Sequence, residues 1–411
     1  MLDIVERPLS TLLSVRNLAT SFPGEQGVLR AVDGISFDVP KGSTVALVGE
    51  SGSGKTVTSL SIMRLVPAPG EITAGEVLFE GQNLLALPER TMRSMCGRMI
   101  SMVFQEPMTS LNPVYTVGTQ IAEVIRIHQK ASRIQARDKT LEMLKLVGIA
   151  SPETRIDSYP HQLSGGMRQR VMIAMALALE PRLMIADEPT TALDVTIQAQ
   201  VLELLQRLTT EGGTSLILIT HDLGVVAGMT QRINVMYAGF IVETATTADL
   251  FAAPSHPYTV GLLHSIPRLD EERPDRLIPI EGTPPDQRRA PVGCPFAPRC
   301  AWRLDVCWTD NPPLEPLEPG ARVVTTGLDA THRIACHNPP TPEEALAGRP
   351  LRNGFVAAPP PGVVLDELAP LDGHAIAVPG EEVALFPGDE GPTSAAPGAS
   401  GLPLPPEEGP R

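Results

Sequence analysis

The stretch "TVALVGESGSGKT", Thr44 to Thr56, limits what this chain can fold into more than any other. Its first residues are an unbroken apolar run, the mark of a strand buried on both faces. Gly49, Glu50, Ser51, Gly52, Ser53, Gly54, Lys55 and Thr56 then fit G-x-x-x-x-G-K-[ST] in full, and a helix is expected from about Lys55. Glycines let backbone N–H groups curl around a triphosphate. The lysine reaches the β- and γ-phosphates, and the threonine offers its hydroxyl to Mg²⁺. A chance match is the alternative, and the flanking strand and helix weigh against it.

Further strands carry polar residues to the same sheet edge. "RLMIADEP" ends on Asp187 and Glu188, "VFQEPMTSLNP" holds Gln105, and "TSLILITHD" holds His221. Switch-point chemistry in open α/β sheets lies at such strand ends. Asp187 is expected to hold Mg²⁺ through water, and Glu188 to polarise the water that attacks the γ-phosphate. Gln105 can ligate Mg²⁺ or orient water without adding charge. His221 can contact the γ-phosphate through a neutral imidazole. Taken singly, the acidic pair reads equally as a solvated turn, and His221 as a surface or capping residue.

"YPHQLSGGMRQRVMIAMAL", Tyr159 to Leu177, sets Gly165 and Gly166 before a helix. Bare N–H groups at a helix N-terminus form an anion site. Ser164 as a simple N-cap explains the serine but not the two glycines.

Strands rich in apolar residues, alternating with helices, predict a parallel α/β sheet covered on both faces. Short antiparallel strands are expected from Leu12 to Val39, broken at Pro-Gly and Asp-Gly, and mainly helix from about Glu106 to Ser164. Of the 411 residues 42 are proline, and they concentrate towards the C-terminal end. Residues 254–340 read as a Pro-rich extension, and 341–411 as a Pro-rich acidic disordered tail. From Pro340 onward there are eleven acidic and three basic residues, so most of the net charge of -14 lies there. No basic stripe recommends nucleic acid. The N-terminus lacks the pattern of a signal peptide, and runs such as Val171 to Leu179 are too short to span a bilayer. The reading is a soluble chain whose membrane role, if any, comes through partners.

Together these stretches resemble the ATP-binding subunits of ABC transporters, over about Leu12 to Leu269. The resemblance implies an ABC-type P-loop NTPase: a RecA-like parallel core, an antiparallel β subdomain and a helical subdomain near 106–164, all within 1–253. It assigns Walker A to Gly49–Thr56, the Q-loop to Gln105 and the signature to "LSGGM". Walker B ends on Asp187 with Glu188 behind it, the D-loop reaches Asp194, and His221 is the switch histidine. Phe22 stands where the family stacks an aromatic on adenine, a core Phe being the competing reading. Ser164, Gly165 and Gly166 would bind the γ-phosphate held by a second subunit. Met167 replaces the family's usual glutamine, a change familiar in the peptide branch.

"FQEPMTSLNP" and "SHPYTVGLLHSIP" look like the dipeptide/oligopeptide/nickel importers. That resemblance implies two integral-membrane permeases, a second and different ATPase subunit, and an extracytoplasmic solute-binding protein. It also implies a peripheral position on the cytoplasmic face of a bacterial inner membrane. Residues after Gln105 would meet the permeases. Cys294, Cys300, Cys307 and Cys336 are separated by five, six and 28 residues, unlike zinc-ribbon pairs. They match the cysteines that hold a [4Fe–4S] cluster in dipeptide-permease relatives, with zinc or free thiols as alternatives. Nothing in the sequence links this set to the ATP chemistry.

Overall fold

Two sheets carry the fold, because the strands come in two kinds, half-buried and wholly buried. The computed structural model describes residues 10–25, 27–105, 110–191, 193–265, 279–288, 291–317 and 332–350. The expectations for 351–411, for 106–109 and for the last residues of "SHPYTVGLLHSIP" lie outside these ranges.

The strands in chain order begin with β1 (Thr11–Gly24), β2 (Gly27–Pro40), β3 (Thr44–Val48), β4 (Glu71–Phe79), β5 (Gln82–Asn83) and β6 (Ile100–Val103). They continue with β7 (Leu183–Asp187), β8 (Ser215–Thr220), β9 (Arg232–Tyr237), β10 (Phe240–Thr246), β11 (Glu315–Pro316) and β12 (Arg333–Ile334). A four-stranded antiparallel sheet has the order β2-β1-β4-β5. Its inner face sends Leu13, Val15, Leu18, Phe37 and Val77 into one core with Leu47 of β3 and Ile62. The larger sheet has the order β11-β12-β10-β9-β3-β8-β7-β6. From β9 to β6 its strands are parallel, and β3, β7 and β8 are buried at every position. That continuous burial is what their unbroken apolar sequences require.

The antiparallel part departs from the expectation. The structure has two strands of 14 residues rather than several short ones. Asp33-Gly34 marks no turn: Gly34 takes φ 70° inside β2, and Asn17 takes φ 45° inside β1, where the pairing register shifts. An extra residue absorbed as a bulge leaves the strand running on. The large sheet is also mixed rather than purely parallel, since β10, β12 and β11 pair antiparallel at one edge.

Between β6 and β7 the described chain is helical, as expected, with Val117–Gln129, Arg133–Leu146 and Pro152–Arg155. Thr116 caps the first, and Ser132 with Gln135 forms a capping box on the second. Ile121, Ile125, Ala136 and Leu144 pack with Val171 of helix Gly165–Leu177 in one core. Beyond residue 253, helix Pro257–His264 and buried Phe296, Trp302 and Trp308 cover the other end of the sheet. A further helix, Pro342–Ala347, opens the stretch expected to be a disordered tail. Its Thr341–Glu344 capping box and Pro at the first turn were a readable helix start. Among the described residues, no helix is long and apolar enough to cross a membrane.

Candidate functional site: a glycine loop and a polar sheet edge

β3 delivers the chain into the glycine loop, which then becomes the helix Lys55–Ile62. Gly49, Gly52 and Gly54 have φ of 155°, 79° and 101°, all in the region that favours glycine. A Cβ on Gly49 would collide with the carbonyl oxygen of Met236, and one on Gly54 with that of Ala31. The loop can therefore be built only from glycine at these points. Lys55 Nζ donates to the Gly49 and Glu50 carbonyls at 2.8 and 2.9 Å. Burial pulls the Lys55 ammonium below its usual range, while Glu188, Asp187 and Glu50 hold it up. Such an ammonium, solvated only by carbonyls, is poised to exchange them for phosphate oxygens. Ser53 Oγ is buried without a hydrogen-bond partner, an orphan hydroxyl beside the cradle.

The sheet edge brings the expected carboxylates to this loop. Thr56 Oγ1 donates to Asp187 Oδ1 at 3.2 Å, joining the two groups proposed for Mg²⁺. Burial pushes Asp187 up to about 6, with Thr56 opposing that shift and Glu188 adding to it. The donor set of hydroxyl and carboxylate oxygens suits a hard cation. Glu188 is held at φ 44°, where its N–H donates to Ile219 O at 2.9 Å. A glutamate in that backbone region is strained, a pattern concentrated at functional sites. Gln105 Nε2 donates to Glu188 Oε2 at 2.9 Å, and Thr191 Oγ1 donates to the same oxygen at 2.8 Å. His221 Nδ1 stands 3.4 Å from Glu188 Oε1. Its ring is 60% exposed whereas the Glu188 side chain is 14% exposed, so the histidine lies on the open side. Thr191 was not singled out from sequence, although its place three residues after Glu188 was the available signal.

The remaining expected residues lie elsewhere. Ser164 is the N-cap of helix Gly165–Leu177, its Oγ accepting from Met167 N–H at 3.3 Å. Gly166 is where that helix crosses the next one, because a Cβ there would lie 2.5 Å from Ile197 Cγ2. Close packing thus gives the second glycine a reason of its own, beside any anion. Asp194 caps helix Val195–Gly212, its Oδ1 accepting from Ile197 N–H at 3.0 Å. Ala192, in the same loop, is outside the described residues. Phe22 is half-buried in β1 and its ring lies against Gly70.

The extension touches the loop, a link the sequence did not reveal. Glu50 N–H donates to Tyr258 Oη at 2.7 Å, and Arg299 Nη1 and Nη2 donate to the Glu50 carboxylate at 2.7 and 3.1 Å. Gln287 Nε2 donates to Gly52 O at 2.9 Å. These contacts are made by Tyr258, Gln287 and Arg299, none of them one of the four cysteines.

The four extension cysteines are free thiols, Cys300 and Cys307 both buried. Burial pushes Cys294 up to about 12 and raises Cys300 strongly, with Cys336, Cys294 and Cys307 adding to the latter. Four thiols suit iron or zinc in kind. Their grouping does not fit: among the described residues no three His, Cys, Asp or Glu side chains are placed to hold a metal ion. The expected metal centre is therefore not supported, and Cys294, Cys300 and Cys307 pack as small apolar groups in the cores that hold Phe296 and Trp308.

Comparison with known proteins follows the same division. Residues 32–191 match the family model described as ABC transporter, and residues 242–307 match that of the oligopeptide/dipeptide transporter C-terminal region. The chain is 56% identical to the probable peptide ABC transporter ATP-binding protein y4tR of Sinorhizobium fredii, over 75% of this chain and 92% of that one. It is 52% identical to the oligopeptide transport ATP-binding protein OppD of Bacillus subtilis, over 74% and 86%. With the dipeptide transport ATP-binding protein DppD of Escherichia coli it shares 49% identity, over 75% and 94%. The dimeric, ADP- and Pi-bound ATP-binding cassette MJ0796 superposes with a TM-score of 0.52 at 27% identity, covering 57% of this chain and 98% of that one. This chain belongs to the ATP-hydrolysing ATP-binding subunits of ABC transporters, in their dipeptide/oligopeptide branch.

Proposed function

We propose that this chain hydrolyses ATP to drive peptide uptake through partner permeases. One observation carries the chemical part. Gln105, Thr191 and His221 converge on the Glu188 carboxylate, beside the Thr56–Asp187 pair and the glycine loop. In this reading Gly49–Thr56 and Lys55 bind the triphosphate, and Glu188 takes the proton of the attacking water. Gln105 and His221 orient that water and the γ-phosphate. Thr56, Asp187 and Gln105 would hold Mg²⁺, which would supply positive charge to offset that of the triphosphate. Ser164, Gly165 and Gly166 offer their helix N-terminus to the γ-phosphate on a second ATPase subunit, with Asp194 in the loop between the two sites. Phe22 is the proposed adenine platform.

The peptide cargo is supported by the names of the relatives and by the matched C-terminal region. Docking on two permeases is supported by an apolar cavity of about 270 Å³ lined by Met63, Leu65, Met102, Phe104, Leu111 and Met175. Phe104 and Leu65 are 41% and 46% exposed there, which suits the apolar face of an incoming helix. The proposed setting is the cytoplasmic face of a bacterial inner membrane, with an extracytoplasmic solute-binding protein delivering the peptide. Tagged chain purified from detergent-solubilised membranes should bring down two multi-span permeases and a second ATPase, identified by mass spectrometry. Recovery from the soluble fraction alone would remove the transport reading and leave the ATPase standing.

The four cysteines are not carried into the proposal as [4Fe–4S] ligands, because among the described residues their grouping does not fit a metal ion. Anaerobically purified protein should accordingly be colourless and hold no stoichiometric iron. Brown protein with about four irons per chain would restore the cluster reading, and one zinc per chain would point to a zinc site.

A further inference from the structure

Glu50 is an odd residue to find in a loop that receives a triphosphate. Its carboxylate adds negative charge beside Lys55, whose ammonium feels it. The structure neutralises it from far along the chain. Arg299 forms a two-pronged ion pair with Glu50 across 249 residues of sequence, at 2.7 and 3.1 Å. The other donors of that guanidinium are also engaged: Nε to Glu281 O at 3.0 Å, Nη2 to Ile280 O at 3.2 Å and Nη1 to Tyr237 Oη at 3.3 Å. All five N–H groups are therefore used, and the side chain is 5% exposed against 28% for Glu50. A guanidinium held this firmly cannot swing away to water. Arg299 also sits directly before Cys300, so the cysteine segment and the glycine loop share one anchor.

Resting on the reading of Gly49–Thr56 as the triphosphate loop, we propose that Arg299 is a positioning residue for nucleotide binding: acting through Glu50, it cancels the carboxylate charge beside the phosphates. A plain tether would hold the extension in place without touching ATP affinity. Charge cancellation makes a different claim, because removing the carboxylate should then cure the loss of the arginine.

The test is titration calorimetry of ATP without Mg²⁺ into the full chain, alongside thermal melts. Arg299→Gln should weaken ATP binding about tenfold, the Coulomb effect of one unpaired charge several ångströms from the phosphates. The double variant Arg299→Gln/Glu50→Gln should return to within about threefold of wild type, although it restores no tether. If Arg299→Gln does not fold, Glu50→Gln alone decides, since the retained arginine should then tighten ATP binding. Unchanged affinity in Arg299→Gln, a double variant as weak as the single, or weaker binding by Glu50→Gln would each overturn the proposal. Wild-type chain that binds no ATP would instead remove the glycine-loop reading on which it stands.

Discussion

Glu188 accepts hydrogen bonds from Gln105 and Thr191 on one carboxylate oxygen and faces His221 with the other. Three partners around a single carboxylate hold it aimed, which is what a general base needs. Glu188→Gln keeps the size and two of the contacts but removes the basic oxygen. It should retain ATP binding and lower the turnover by about 10²- to 10³-fold, read as phosphate release at saturating ATP. Wild-type turnover in that variant would move the proton acceptor elsewhere. A Thr191→Val change tests the support rather than the base. The carboxylate would lose one donor and some of its aim, so turnover should fall about tenfold with ATP affinity unchanged, a split between kcat and KM that steady-state kinetics separates.

At the scale of the elements, what sequence revealed was what is local. β3, β7 and β8 are legible because burial on both faces demands apolar residues at every position, and their ends place Asp187, Glu188 and His221 by covalent continuity. The Ser164 cap and the glycine loop are likewise contiguous. Turn residues were ambiguous: the same Asp-Gly that closes hairpins elsewhere became a bulge inside β2, since only the partner strand decides between the two. The Thr341 capping box was local and readable, but Pro-rich surroundings masked it. Arg299 was illegible for a different reason. Its partner Glu50 is 249 residues away, and nothing within either stretch names the other.

For the whole molecule, the question is how the extension is fastened to the ATPase body. Glu243 of β10 is fully buried and accepts from Ser255 N–H at 2.7 Å, His256 N–H at 2.8 Å and His332 Nε2 at 2.9 Å. It therefore joins the sheet edge to the start of helix Pro257–His264 and to the approach of β12. Burial opposes its ionisation, but His332 and the backbone donors more than offset this and hold the carboxyl below its usual range. A carboxylate with a depressed folded value stabilises the protein above the unfolded carboxylate range, and that stability disappears as pH falls through the folded value. Glu243→Gln turns one acceptor into a donor facing buried donors. It should lower stability by about 3 kcal/mol near neutral pH in urea denaturation, the upper scale of leaving buried donors unsatisfied. The gap between wild type and variant should close as the pH is taken below the carboxylate range. A gap that stays constant with pH would mean that packing, not charge, fastens the extension. Because Arg299 is carried by the same extension, a loosened Glu243 clasp should also weaken ATP binding.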